Sequence, residues 1–141
     1  MELLCHVNAT YQIDQKAQII FVSWSGTVTH NEAVAAAKDL IADPAFSPFY
    51  DRIYDVREVA DVQLSKASLM ELALIDPIYP SERRAVVASS PAVFGMGRMF
   101  GLLTGKEEQG NYWVFSDYQQ ALNWVRDSKA ARDFPQTKMA R

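Results

Sequence analysis

The chain has 141 residues, of which 49% are apolar and 22% charged, a composition typical of one folded globular domain. Its 14 basic and 17 acidic residues give a formal net charge of −3, so we expect no nucleic-acid partner. The single cysteine excludes an internal disulfide framework and is compatible with a reducing compartment, and no apolar run is long enough to span a membrane. We therefore expect a cytoplasmic protein.

Two β-prone segments open the chain. Weak alternation over residues 5–13 and the apolar run AQIIFVSW at 17–24 predict two strands, and residues 14–16 between them are typical of a turn. These two strands are therefore expected to form an antiparallel hairpin.

Two helices and a strand are predicted next. In TVTHNEAVAAAKDLIADP, Thr29 followed three residues later by Glu32 is a capping box, and an Asp-Pro pair ends the helix. The run DRIYDV at 51–56 predicts a strand. The segment SKASLMELALI at 65–75 predicts a second helix, which a second Asp-Pro pair ends.

The stretch VVASSPAVFGMGRMFGLLTG carries four glycines, and those at 95, 97 and 101 decide between a phosphate-binding loop and a helix. Phosphate loops place their glycines before the helix, but Ser90 is a good N-cap and Pro91 suits the first helical position. We therefore expect the strand RAVVA at 84–88 and a third helix in which Gly97 and Gly101 pack closely on a neighbour. Nucleotide binding, with Asp117 as a ribose-binding acid, is the weaker alternative.

The last elements are a strand over YWVF at 112–115 and a helix capped by Ser116 with Gln119. The order of elements predicts an α/β protein of one domain, with a mainly parallel sheet and an antiparallel first strand. We place the domain at 1–127 and a flexible C-terminal tail at 128–141.

Polar residues gather where the predicted parallel strands end. Asp55 and Arg57 follow one strand, and Ser89 and Ser90 follow the next. Because α/β sheets usually bind ligands at this edge, these four residues are candidate ligand-binding residues. An internal ion pair for Asp55 and Arg57, and helix capping for the serines, are the structural alternatives.

No known catalytic motif occurs, since HExxH, CxxC, GxSxG and GxxxxGK[ST] are all absent. His6 lies in the predicted first strand and His30 in the first turn of the predicted first helix, so the two do not suggest a metal pair. Cys5 is the only thiol. We therefore expect no catalytic residue set, no metal and no cofactor, which favours a non-enzymatic protein.

The predicted third helix is apolar on two sides. Phe94, Arg98 and Leu102 form a stripe away from the face that would pack on the sheet. Such a stripe is either covered by the tail or is an interaction surface. Strands that are apolar on both faces also favour self-association, so we expect a homodimer and identify these three residues as candidate interaction residues.

The element order and the local sequence resemble the STAS superfamily, the domain of bacterial anti-sigma-factor antagonists, and in particular the short SpoIIAA-like bacterial proteins. The similar segments are GTVTHNEAVAAAKDL, YDRIYDVREV, RRAVVASSPAVFGMGRMF and VFSDYQQALNWV, within residues 10–126. The resemblance implies a parallel sheet built as a β-α superhelix, with helices mainly on one side. It also implies a regulatory, non-enzymatic module that binds a protein partner.

In the antagonists a phosphorylatable serine stands at the start of the second helix, in an Asp-Ser-Ser/Thr-Gly setting. The nearest position here is Ser65, which lacks both the acidic neighbour and the glycine. Ser65 is therefore the candidate phosphorylation site that the resemblance implies.

Two further functions are open. The fold is also similar to the CRAL-TRIO lipid-transfer family, which implies a small apolar ligand near the third helix. Apolar side chains for it are supplied by Met96, Met99, Phe100 and Trp113. An enzyme built on the acid–base pair of the second parallel strand is the third hypothesis.

Overall fold

A computed structural model describes residues 3–5 and 8–133, with the side chains of residues 8–127. The strands are β1 (Leu3–Cys5), β2 (Ala9–Asp14), β3 (Ile19–Thr29), β4 (Asp51–Gln63), β5 (Arg84–Val87) and β6 (Tyr112–Phe115). The helices are α1 (His30–Ala42), α2 (Lys66–Ile75), α3 (Pro91–Thr104), α4 (Lys106–Gln109) and α5 (Tyr118–Asp133).

The strands form one sheet in the order β1-β2-β3-β4-β5-β6. β1, β2 and β3 pair antiparallel, and β3 to β6 pair parallel. The predicted α/β domain with a mainly parallel sheet and an antiparallel start is therefore confirmed. The strand predicted over 5–13 corresponds to β2, and a further short strand, β1, precedes it and shares only Cys5 with the predicted segment.

The two faces of the sheet carry different helices. Buried residues of α1 and α3 join one apolar cluster with Ile20 and Val22 of β3. Ala121 and Val125 of α5 join a second cluster with Ile19, on the opposite face because side chains alternate along a strand. Only α5 therefore covers this second face within the described residues, and the helices lie mainly on one side as expected.

β3 and β4 are longer than predicted and pair beyond the other strands. The pairing continues from Ser25 opposite Glu58 to Thr29 opposite Gln63, after register shifts on either side of Gly26. Gly26 has a φ of +69°, a conformation that glycine adopts without strain. The sequence does not predict this extension, because charged residues follow the apolar part of β4. We call the paired segments 25–29 and 58–63 the ribbon.

The predicted helix starts of α1, α2 and α3 are confirmed. Thr29 Oγ1 accepts the Glu32 N–H at 3.4 Å, Ser65 Oγ accepts the Ser68 N–H at 3.0 Å, and Ser90 Oγ accepts the Val93 N–H at 3.2 Å, each as an N-cap.

The last third of the chain departs from prediction at three places. The N-terminus of α5 is capped by Asp117 rather than Ser116, since Asp117 Oδ1 accepts the Gln119 N–H at 3.3 Å and its charge suits the positive helix end. The short helix α4 was not predicted. α5 continues to Asp133, and residues 134–141 of the predicted tail lie outside the described residues.

The glycines of α3 lie within the helix, which begins at Pro91 and ends at Gly105 in a left-handed conformation. The Tyr112 hydroxyl donates to the Gly97 carbonyl oxygen at 2.6 Å. A Cβ on Gly101 would lie 2.6 Å from Cδ1 of Tyr112. The predicted close packing is therefore confirmed, and the phosphate-loop alternative is wrong because the glycines do not precede the helix.

We expect Gly101→Ala to destabilise the protein by about 1–3 kcal/mol, because its methyl group would overlap Tyr112. Gly95→Ala is the matched control in the same helix, since no atom lies within 4 Å of its Cβ position. Higher helix propensity should make this control more stable by about 0.5–1 kcal/mol. Urea denaturation measures both changes. Equal free energies of unfolding for the two variants would contradict the close packing.

Candidate functional site

A cavity of about 210 Å³ lies between the sheet and the three helices α1, α2 and α3. Its walls are apolar almost throughout, with Leu69 and Leu72 on α2, Met96 and Phe100 on α3, and Val86 on β5. A concave apolar space with a few polar groups is the usual form of a small-molecule binding site.

The space is associated with small side chains on α1 and α3 and with the position of α2, which lies mainly against those two helices. α2 makes its main helix contacts with α1 and α3. Ala33, Ala36 and Ala37 of α1 and Gly97 of α3 line the cavity and leave room that larger side chains would fill. The alanine-rich stretch of α1 and the glycines of α3 thus create the cavity.

Asp76 and Arg84 line one end of the cavity, and they pair with Arg52 and Glu82, which are not among the lining residues. We call these four buried side chains the charge cluster. The exposed fractions of Arg52, Asp76, Glu82 and Arg84 are 0%, 6%, 0% and 4%. Arg52 at the start of β4 makes a bidentate pair with Asp76 at the end of α2, and its Nη2 lies 2.8 Å from Asp76 Oδ1. Arg84 Nη2 at the start of β5 lies 3.1 Å from Glu82 Oε2.

Burial and pairing act in opposite directions on the two carboxyl groups. Burial acts to raise the pKa of Asp76, but the hydrogen bonds from Arg52 and the charge of Arg84 outweigh it and hold that pKa below its usual range. Burial raises the pKa of Glu82 despite the nearby charges of Arg84 and Arg52. Asp76 is therefore the principal counter-charge of the cluster.

The predicted ligand-binding residues at the other end of the sheet come together around an ion pair. Arg57 Nε and Nη2 lie 2.9 Å and 2.8 Å from the two oxygens of Asp55. The hydrogen bonds from Arg57 lower the pKa of Asp55. Ser89 Oγ donates to the Arg57 carbonyl oxygen at 3.0 Å, and the Arg57 guanidinium lies 5.0 Å from the centre of the Tyr118 ring. Each charge thus has an internal partner, and Ser90 serves as the α3 cap.

The predicted interaction residues lie at the β6 side of the sheet in different environments. Phe94 is half-buried and packs against the core, whereas Leu102 is 65% exposed. The Arg98 guanidinium pairs with Glu107 of α4 at 3.1 Å and lies 5.5 Å from the centre of the Trp113 ring. Trp113 belongs to β6, the outermost parallel strand.

Ser65 is exposed at the start of α2, and a hydrogen-bonded chain runs from it to α1. Ser65 Oγ lies 3.0 Å from Ser68 Oγ, which lies 2.9 Å from His30 Nδ1. His30 Nε2 lies 3.3 Å from Glu71 Oε1. This chain attaches the first turn of α2 to the first turn of α1.

Among the side chains that the structure describes, those of residues 8–127, no three metal-ligating groups come together, and His6 lies outside the described residues. No helix in the described part of the chain has the length and apolar character needed to cross a bilayer.

No protein-family model matches the chain, and no curated protein sequence matches it significantly. Among solved structures, an uncharacterized protein of the DUF3478 family from Shewanella loihica, with a SpoIIAA-like fold, aligns over 89% of this chain and 98% of its own, at 19% identity and a TM-score of 0.60. The chain has the SpoIIAA-like fold. An anti-sigma factor antagonist from Mycobacterium paratuberculosis aligns over 88% of this chain and 100% of its own, at 21% identity and a TM-score of 0.51.

The sequence analysis missed the charge cluster and the cavity. Arg52 and Arg84 stand at the starts of otherwise apolar strands, and a charge in such a place indicates a buried pair. Their partners, Asp76 and Glu82, follow α2 and are distant in sequence from Arg52. The sequence therefore carries a signal for buried charge but not for which groups pair.

We expect Asp76→Asn to destabilise the protein by about 3 kcal/mol, because it leaves two buried guanidinium groups with a single carboxylate. Asp55→Asn is the control, since its partner Arg57 is 43% exposed and such pairs contribute about 1 kcal/mol or less. Chemical denaturation at pH 7 measures both. Similar losses in the two variants would contradict the assignment of Asp76 as the principal counter-charge.

Proposed function

We propose that the protein binds a small apolar molecule in the cavity beneath α2. The observation that supports this function is the cavity itself, about 210 Å³ of space with walls that are almost entirely apolar. Apolar cavities of this kind do not hold ordered water well and take up apolar molecules instead. Of the residues that the sequence singled out for such a ligand, Met96 and Phe100 line the cavity, while Met99 and Trp113 lie at the surface.

We expect Ala36→Phe to abolish or strongly weaken the binding of the apolar fluorophore N-phenyl-1-naphthylamine, because residue 36 lines the cavity and the phenyl ring would occupy it. A loss of about tenfold or more in affinity is the expected size, equivalent to about 1.4 kcal/mol. The matched control is Ala35→Phe on the exposed side of the same helix. Fluorescence titration gives both dissociation constants.

Native mass spectrometry of the gently purified protein complements this titration, because a carrier should retain added mass that the Ala36→Phe variant lacks. Failure of the wild-type chain to bind the fluorophore, or equal binding by the two phenylalanine variants, would contradict the proposed function.

A second candidate is a regulatory role through protein association, which the fold shared with an anti-sigma factor antagonist supports. The surface that favours it combines the predicted residues Phe94, Arg98 and Leu102 with Trp113, which is 43% exposed on the outermost strand. Arg98 pairs within the chain with Glu107, whose side chain is 8% exposed, so the surface offers mainly apolar contact. We propose that it joins two copies of the chain.

Ser65 belongs to this second candidate as the proposed phosphorylation site. A phosphate there would place negative charge at the start of α2, where the helix N-terminus favours it. A phosphate on Ser65 would also disturb the hydrogen bond between Ser65 Oγ and Ser68 Oγ, and so change the attachment of α2 to α1.

We expect Leu102→Asp to convert a homodimer into a monomer, because a carboxylate would be buried at the contact between copies. Leu74→Asp is the control, since Leu74 is 82% exposed on α2 and lies outside the proposed contact surface. Light scattering coupled to size exclusion measures the mass of each protein. A monomeric wild-type chain, or a Leu102→Asp variant that remains dimeric, would contradict the contact.

A further inference from the structure

We infer that the ligand of the cavity is an uncharged, mainly aliphatic molecule with one hydrogen-bonding oxygen, such as a long-chain alcohol or ketone. This inference rests on the proposed function. The cavity is lined along β4 from Tyr54 near the charge cluster to Val62 in the ribbon. These side chains give the cavity an elongated wall along the strand, which suits an extended aliphatic chain.

The charge balance at the polar end excludes a charged head group. The charge cluster contains two guanidinium and two carboxyl groups, and its arginines are already paired with its carboxylates. A ligand carboxylate would lose its hydration and meet no excess positive charge in return. A ligand ammonium group would meet no excess negative charge. An uncharged head group loses far less hydration free energy than a charged one on entering this end of the cavity.

Two tyrosine hydroxyls at the polar end offer complementary hydrogen bonds to such a head group. Tyr54 accepts a hydrogen bond from Arg52 Nη1 at 3.0 Å, which directs its own hydroxyl hydrogen elsewhere, and no described residue accepts that hydrogen. Tyr112 donates to Gly97 and keeps a lone pair for a donor, while burial raises its pKa so that it remains neutral. Both residues line the cavity. The cavity thus offers a head group one donor, the Tyr54 hydroxyl, and one acceptor, the Tyr112 hydroxyl oxygen.

Competition between two probes that differ only in the head group tests the inference. N-phenyl-1-naphthylamine bound to the full chain at pH 7 is displaced either by 1-octanol or by sodium octanoate. We expect 1-octanol to displace it at a concentration at least about tenfold lower. Tyr54→Phe should weaken 1-octanol about fivefold, because one hydrogen bond is lost. The fluorophore is titrated separately on Tyr54→Phe, so that displacement is expressed relative to that variant's own fluorophore affinity, and circular dichroism checks that the variant is folded.

Tyr79→Phe is the matched control, because Tyr79 is 41% exposed and does not line the cavity. Octanoate that binds as tightly as 1-octanol would overturn the inference and leave the proposed function standing. An octanol affinity unchanged in Tyr54→Phe would overturn the role of Tyr54. If the fluorophore binds but neither probe displaces it, the inference fails and the proposed function stands. If the fluorophore itself does not bind, the proposed function fails.

Discussion

The bidentate pair between Arg52 and Asp76 is the interaction on which the architecture of the site depends. An unpaired charge in this buried position would cost several kcal/mol, so the end of α2 must stay within hydrogen-bonding reach of the first residues of β4. At the other end of α2, the Ser68 hydroxyl lies 2.9 Å from His30 of α1. These two attachments fix the two ends of α2. The middle of the helix lies over the cavity.

Small side chains on α1 and α3 leave the cavity beneath α2 unfilled. Ala33, Ala36 and Ala37 of α1 line the cavity without filling it, and Gly101 lets α3 approach Tyr112 so closely that a methyl group would not fit. Small side chains therefore have two effects. They allow tight packing between α3 and β6, and they leave the cavity beneath α2. The ribbon closes the space at the end opposite the charge cluster, with Val59 and Val62 in its wall.

The sequence predicts what depends on local signals and misses what depends on distant partners. The start of α3 follows from Ser90 and Pro91, because capping and proline geometry act within one turn. Asp117 took the capping role expected of Ser116, since adjacent acceptors compete for the same N–H groups. The ribbon is stabilised by pairing between β3 and β4, which are far apart in sequence. Charged residues obscure the apolar–polar alternation of its β4 segment. Likewise, the partner of Arg52 is visible only once α2 is placed, so the site itself could not be derived from the sequence.

Xenon pressurisation of crystals of the protein tests the central claim most directly, because xenon enters apolar cavities without needing hydrogen bonds. The account predicts xenon density between α2 and the sheet, in contact with Leu69 and Phe100, while the Arg52–Asp76 pair remains intact. A structure in which α2 packs onto the strands and no xenon lies beneath it would contradict the account.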